Sequence, residues 1–516
     1  MTATKTGAQA LVSTAARAGI DICFANPGTT EMPLVHALDT EPGIRPVLCL
    51  HENVATGAAD TYARMTGKPA MTILHLGPGL ANGLTNLHNA RRAHSPVVNV
   101  VGDHASWHLA ADPPLTSPVE QIAGAVSGHV CKSAGADHLA IDMAQAIAAS
   151  RDNGGQVATL IAPHDAQGTD TTALTGEVAA HPAPTFSADQ VRAAAEALQT
   201  ERPALYLGGD ALSEPALRLA GQLSVAMGAE LICETFFARM EKGGDLPAPV
   251  KLPYFPEEAA DYLRPFTRVV TVGAMPPVGF FGYPGGESHL TRPDQDCPLA
   301  RVDEDVVGAL AALCAALQVA TDRPLKERAL PSMPTGPLTA ESISDVMVNL
   351  QPRDAIVMDE GLTASAAYHA ASNNARRFTQ LQLTGGAIGM GPSGATGAAL
   401  ACPDRQVINL QADGSGAYSL QALWTQAREK LNVITIIASN RSYHILNVEM
   451  LRAGIAEPGP AAQALASLDD PAIDWVSLAK GFGVAGEAVD TAEGLADALT
   501  RALETGGPYL IEAIMP

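Results

Sequence analysis

The sequence predicts an α/β protein made of three consecutive doubly wound parallel-sheet domains, and three observations carry that expectation. Short apolar runs alternate with helical stretches along nearly the whole chain, as strands buried on both faces and their crossover helices require. Residues 165–184, with their Thr, Gly, His and Pro, and residues 322–335, with Pro324, Pro331 and Pro334, interrupt the alternation without a period of their own. The 516 residues also exceed what one core organises, at roughly 100–200 residues per domain.

The first domain is expected over residues 1–165. A helix over 7–18 precedes a strand at 22–25, a second strand at 47–50 and a helix over 51–65; a strand at 70–76, a helix over 82–91 and a strand at 97–101 follow. In the second domain, 186–322, strands at 204–207, 230–233, 269–272 and 299–302 alternate with helices such as 188–198 and 214–227. The third, 337–516, has strands near 355–358, 407–410, 432–438 and 509–514.

Composition removes several classes of function. Thirty-two Lys and Arg against 54 Asp and Glu give a formal net charge of −22, which repels phosphate backbones and anionic headgroups, so neither nucleic acid nor a membrane surface is an expected partner. A chain 47% hydrophobic and 17% charged reads as ordered and globular. Its seven cysteines are scattered and contain no C-x-x-C pair, so no disulfide framework or zinc cluster is expected. The first ten residues lack the basic-then-apolar layout of a signal peptide, and no apolar run approaches the roughly 18 residues of a membrane span. A soluble cytoplasmic protein is the expectation.

Gly389-Met390-Gly391-Pro392-Ser393-Gly394 satisfies the dinucleotide fingerprint G-x-G-x-x-G, with Asp413 downstream to hold a ribose hydroxyl, so an NAD-dependent oxidoreductase is one reading. Against it, Pro392 falls in the first helical turn and the preceding residues 382–387 are broken by glycine. Asp413 is also followed by Gly414-Ser415-Gly416, which makes a turn where that fold needs one side chain at a strand tip.

A stronger signal joins Ala412-Asp413-Gly414-Ser415, after the strand at 407–410, with Asn440-Arg441-Ser442, after the strand at 432–438. Oxygen-bearing side chains at the carboxyl ends of adjacent strands converge on one hard cation, which prefers oxygen ligands and keeps its bond to a phosphate. Asp413 would supply a carboxylate, Asn440 its amide oxygen and Ser442 its main-chain carbonyl to Mg2+, while Gly414 and Ser415 open a helix whose amides face a diphosphate. A turn and a strand end that bind nothing is the bland alternative.

This spacing resembles the thiamine diphosphate motif, and other segments match the same enzyme family. Leu50-His51-Glu52-Asn53-Val54-Ala55 with Asp60-Thr61-Tyr62-Ala63-Arg64 is similar to the glutamate-bearing helix of acetolactate synthase, pyruvate oxidase and benzoylformate decarboxylase. Gly77-Pro78-Gly79 follows as in the synthases, and Gly386-Ala387-Ile388-Gly389-Met390-Gly391 resembles the segment under the bend of the cofactor. Asn26-Pro27-Gly28-Thr29 and Lys480-Gly481-Phe482-Gly483 extend the resemblance over nearly the whole chain. It implies an aminopyrimidine-binding first domain, a central domain and a diphosphate-binding third domain that includes Tyr443 in its cofactor contacts.

The resemblance also implies roles. Glu52, desolvated among Val54, Ala55 and Ala58, would share a proton with the aminopyrimidine ring, since burial favours the neutral carboxyl. The bulk of Ile388 would hold the cofactor bent, and the cofactor would serve as the electron sink for a 2-oxo acid losing carbon dioxide. An ion pair between Glu52 and Arg64 is the structural alternative. His75 looks like the active-site histidine of benzoylformate decarboxylase, where synthases carry a small residue, and Thr29 falls where that enzyme has a serine near the substrate carboxylate. The middle-domain histidine of that enzyme is missing, for Gly279-Phe280-Phe281-Gly282 stands there. Phe280, Ile445 and Glu449 would line the substrate pocket, and a carboxylate at 449 would disfavour a purely aromatic acceptor; a solvated helix face is the alternative for Glu449.

Gly-Pro-Gly favours a synthase-like carboligase and His75 a decarboxylase, so both reactions stay open. A non-catalytic cofactor or metabolite sensor is the reading from a different class. No FAD is expected, because Gly208-Gly209-Asp210 and Gly273-Ala274 form no dinucleotide fingerprint. The expected partners are a 2-oxo acid, with an aldehyde or second 2-oxo acid as acceptor, and further copies of the chain in a homodimer or a dimer of dimers, the homotetramer of the family.

Overall fold

The structure, a computed structural model, describes residues 4–173, 176, 178, 184–322 and 328–516. It forms two compact units, one of Met1–His181, Pro331–Ala371 and Leu383–Pro516, the other of Pro182–Leu330 and Ser372–Gln382. The first and third expected sheets therefore share one unit.

The first sheet comprises β1 (Ile22–Asn26), β2 (Arg45–Leu48), β3 (Ala70–Leu74), β4 (Val97–Asp103), β5 (His129–Lys132) and β6 (Val157–Pro163). They run parallel in the order β2-β1-β3-β4-β6-β5. Helix α1 (Glu52–Thr66) starts at His51, whose Nδ1 accepts the Asn53 N–H at 3.1 Å, and stops at Gly67 in the left-handed region. Helix α2 (Leu76–Arg92) begins six residues before the expected start, and β3 ends at Leu74 rather than residue 76. Gly77-Pro78-Gly79, which resembles the synthases, forms the first helical turn, where a proline's missing N–H costs nothing.

Residues 165–184, read as a connector, open with ordered structure. The helix His164–Gly168 is followed by Asp170–Thr171, which pairs antiparallel with Lys5–Thr6. The buried Gln167 side chain donates to the Ala162 carbonyl at 2.7 Å, which ties this segment to β6, so the first body continues to Thr171 instead of ending at 165. Parts of this stretch, and residues 323–327 of the second expected connector, lie outside the described residues.

The third expected domain supplies β12 (Ala355–Glu360), β13 (Val407–Ala412), β14 (Val433–Ser439), β15 (Ala485–Val489) and β16 (Tyr509–Ile514), numbered in chain order past the second unit's five strands. These five are parallel in the order β12-β13-β14-β16-β15. Helix α3 (Gly391–Ala401) packs on α1 at backbone distance: a Cβ on Gly397 would collide with the Ala58 carbonyl oxygen, and Thr61 Oγ1 donates to the Gly394 carbonyl at 2.7 Å. Beside this crossing Arg64 pairs with Asp60 at 2.6 Å, both side chains at most 2% exposed, and Arg64 also donates to Thr384 at 3.3 Å.

The second unit has its own parallel sheet of β7 (Pro203–Leu207), β8 (Glu230–Cys233), β9 (Val250–Lys251), β10 (Arg268–Val272) and β11 (Asp296–Ala300), ordered β9-β8-β7-β10-β11. Its last strand lies earlier than the expected 299–302, because Arg301 N–H already donates to Glu304 in a turn. Pro298 is tolerated there on an edge strand. Arg239–Lys242 pairs antiparallel with Phe378–Gln382, a ribbon not anticipated from the sequence.

Gly397→Ala should destabilise the first unit by about 1–3 kcal/mol through overpacking of α1 on α3. Gly43→Ala, where an added Cβ meets nothing within 4 Å, should change stability by less than about 0.5 kcal/mol. Urea unfolding of both variants followed by tryptophan fluorescence checks the contrast.

Candidate active site

Strands β13 and β14 pair in parallel with Ala412 opposite Ala438, so Asp413 and Asn440 leave the sheet side by side at its carboxyl edge. Asp413 is buried; its Oδ1 accepts the Gly414 N–H at 2.8 Å and its Oδ2 the Arg441 N–H at 2.6 Å. Burial pushes this carboxyl's pKa up, and those two amides oppose the shift. Asn440 Oδ1 accepts the Ser442 N–H at 3.0 Å. A short helix, α4 (Asp413–Gly416), begins at once, and a Cβ on Gly414 would run into the Tyr443 ring.

One cleft brings together Asp413, Gly414, Ser415, Asn440, Ser442, Tyr443 and Ile445. Its opposite wall is Gly361, Leu362, Thr363 and Ala364, which the sequence reading missed. Their signal was available: they follow the strand predicted at 355–358, next to that at 407–410. Among the described residues no cluster of three His, Cys, Asp or Glu side chains could hold a metal. A cation in this cleft would rely on one carboxylate plus amide and main-chain oxygens, a donor set that suits Mg2+. The cleft between two strand ends, with a glycine at its closest approach, has the chemistry to hold a diphosphate.

The amino-terminal sheet presents a second group. Glu52, the first residue of α1, is 6% exposed, and its Oε2 accepts from Asn82 Nδ2 at 3.0 Å. Arg64, the alternative partner, is committed to Asp60. His75 caps α2 directly after β3. Its Nδ1 lies 2.8 Å from Oε2 of Glu31, a wholly buried carboxylate that also accepts the Gly28 N–H at 2.7 Å and the Thr30 hydroxyl at 2.5 Å. Glu31 was not anticipated. Thr29 is exposed in the 3-10 turn Thr29–Glu31, and it is the Thr30 hydroxyl that lies 3.3 Å from His75 Nδ1.

Ile388 is half-buried in a loop held from both sides. Asn89 donates to the Ala387 carbonyl at 2.7 Å and accepts the Gly385 N–H at 3.0 Å. Glu360, fully buried at the end of β12, accepts the N–H groups of Gly389, at 2.6 Å, and Gly391. Glu449 sits on helix α5 (His444–Arg452), half-buried, 3.9 Å from Arg452 one turn on. Phe280 belongs to the second unit, where its ring packs edge-on against Phe236 at 5.4 Å and beside Tyr254 at 5.3 Å.

The chain is similar to known proteins over most of its length. Residues 5–123 match the family described as "Thiamine pyrophosphate enzyme, N-terminal TPP binding domain", and residues 360–513 match its C-terminal TPP binding domain. The chain is 45% identical, over 99% of both chains, to the Mycobacterium tuberculosis protein that carries the provisional name acetolactate synthase large subunit IlvX. It is 29% identical, over 96% of both, to benzoylformate decarboxylase of Pseudomonas aeruginosa. The solved thiamine diphosphate-dependent 4-hydroxybenzoylformate decarboxylase of Rhodococcus jostii superposes with a TM-score of 0.84 at 25% identity, over 99% of both chains.

Burial raises the Glu360 carboxyl from 4.5 to about 7, against the opposing pull of the Gly391 and Gly389 amides. The folded protein therefore holds an extra proton between those values. That contribution to stability is complete below about pH 4.5 and lost as pH rises through about 7, a fall of up to about 3 kcal/mol. Urea midpoints measured from pH 4.5 to 8 should show this decline in the wild type and a flatter profile in Glu360→Gln, which cannot titrate.

Proposed function

The chain belongs to the thiamine pyrophosphate enzyme family, and on that premise we propose that it is a thiamine diphosphate- and Mg2+-dependent decarboxylase of 2-oxo acids in which His75 handles the proton that replaces carbon dioxide. The observation that carries this reading is the pair of His75 with the buried Glu31. A carboxylate on Nδ1 selects the tautomer with its proton there and leaves Nε2 as the acid–base atom. The named decarboxylases among the relatives and solved structures support the same choice.

When bound, the cofactor supplies the electron sink that decarboxylation needs. Asp413, Asn440 and the Ser442 carbonyl would hold Mg2+, while Gly414, Ser415 and Tyr443 would border the diphosphate. Ile388 would support the cofactor, and the Glu52 carboxyl would hold or give up a proton towards its aminopyrimidine ring. Met32, Leu50 and Trp107 are exposed after β1, β2 and β4, and Leu446, Leu451 and Leu465 are exposed beyond β14. These apolar surfaces suit a second copy of the chain, which supports a homodimer with shared sites or a dimer of such dimers. Among the described residues no helix is long and apolar enough to cross a membrane.

A second reading, carboligation of two 2-oxo acids, is favoured by the name of the Mycobacterium tuberculosis relative and by Gly77-Pro78-Gly79. Carbon dioxide release from a panel of aliphatic and aromatic 2-oxo acids, with and without added aldehyde, separates the two. Simple decarboxylation predicts a free aldehyde product; a hydroxyketone formed without free aldehyde favours the second reading.

His75→Ala should lower kcat/KM for decarboxylation by about 10²–10⁴-fold, and Glu31→Gln should lower kcat by less while shifting the pH profile. A His75→Ala enzyme with the wild-type rate would remove the histidine from the proton step. Asp413→Ala should abolish the Mg2+ dependence of cofactor binding, read by calorimetry.

A further inference from the structure

The glycine fingerprint at 389–394 overlaps the segment that carries Ile388, and its structure is specific. Helix α3 starts at Gly391, whose amide is the group that would face a pyrophosphate in a dinucleotide site. That amide is already taken by Glu360, which reaches it from the end of β12 and bonds the Gly389 amide with its other oxygen. Asn409 and Gln411, both fully buried, bring their side-chain oxygens to the same glycine: a Cβ at Gly391 would stand 2.8 Å from Asn409 Oδ1 and 2.9 Å from Glu360 Oε2. Both amides are thus occupied by a carboxylate and are not free to bind a phosphate.

The same carboxyl acts on the neighbouring loop. Gly389 directly follows Ile388 and holds φ at +96°, a conformation that side-chain-bearing residues rarely adopt. Glu360 grips the carboxyl-terminal side of Ile388, and Asn89 grips the other through the Ala387 carbonyl. Only the Ile388 side chain is left to project from between two fixed points.

We propose, resting on the reading that Ile388 supports the cofactor, that Glu360 is the positioning residue of that pocket: its carboxyl fixes the loop that presents Ile388, and it closes the glycine fingerprint by occupying the start of α3. Glu360→Gln keeps one acceptor oxygen but sets an NH2 donor against the other backbone N–H, which leaves that buried amide without an acceptor.

The test is calorimetric titration of the full-length protein with thiamine diphosphate and, separately, with inorganic pyrophosphate, each in saturating Mg2+. Wild type, Glu360→Gln, Ile388→Ala and the double variant are compared. Glu360→Gln should weaken thiamine diphosphate binding about tenfold or more and change pyrophosphate binding by less than about twofold. In the Ile388→Ala background the same substitution should have little further effect, since it acts through that side chain. Equal weakening of both probes, no weakening of either, or additive losses would overturn the proposal. Should Glu360→Gln fail to fold, hydrogen exchange of the wild type decides: slow exchange at Gly389 and Gly391 supports the clamp, and fast exchange there refutes it. Saturable binding of NAD to the wild type would overturn the closed fingerprint. A wild type that binds pyrophosphate but not thiamine diphosphate contradicts the cofactor reading itself and takes this proposal with it, an outcome distinct from a failure confined to the variants.

Discussion

The site rests on α1 and α3 meeting at backbone distance. With no side chain at Gly394 or Gly397, Thr61 bonds directly to the neighbouring helix, and the Asn53 carbonyl accepts from Asn86, whose amide also lies within reach of Ser393 at 3.1 Å. Such contacts leave little freedom to slide, because interiors are close-packed and each buried polar group demands its partner. Glu52 at the start of α1 and the Ile388 loop before α3 are thereby each fixed to tightly packed helices, which pre-organises both for the sites they serve.

Around that crossing the two parallel sheets contribute in the same way. Each ends its strands at an edge where the chain turns abruptly into a helix: His75 caps α2 after β3, and Asp413 opens α4 after β13. Side chains at such edges project from backbone fixed by the sheet, and ligands of open α/β sheets bind there. The carboxylates differ in their surroundings. Glu31 is saturated with donors and set against a histidine, Asp413 has two amides and an open cleft, and Glu360 is enclosed. The same functional group, in two Glu and one Asp, is thus paired with a histidine, set at an open cleft and used to hold a loop.

The strands before Asp413 and Asn440 were legible because Val407, Ile408 and Leu410, and Val433, Ile434, Ile436 and Ile437, give them enough apolar character despite the buried Asn409, Gln411 and Thr435. Phe378–Gln382 was not, since Thr379, Gln380 and Gln382 are polar yet buried. Strand β12 was read two residues short for the same reason: Asp359 and Glu360 look like a surface turn, but Ser365 Oγ and the amides of Gly389 and Gly391 satisfy them inside. Glu31 escaped notice because its histidine partner is 44 positions away and no local pattern joins them. Thr29 was singled out by its place in a motif as a neighbour of the substrate carboxylate, while its own neighbour Thr30 carries the hydroxyl 3.3 Å from His75 Nδ1.

The most direct trial of the account is a crystal structure grown with thiamine diphosphate and Mg2+. The expected result is density for the metal between Asp413 and Asn440, diphosphate against Gly414, and the aminopyrimidine ring within hydrogen-bond distance of a Glu52 carboxyl. Cofactor density elsewhere, or a ring that no Glu52 approaches, would contradict it.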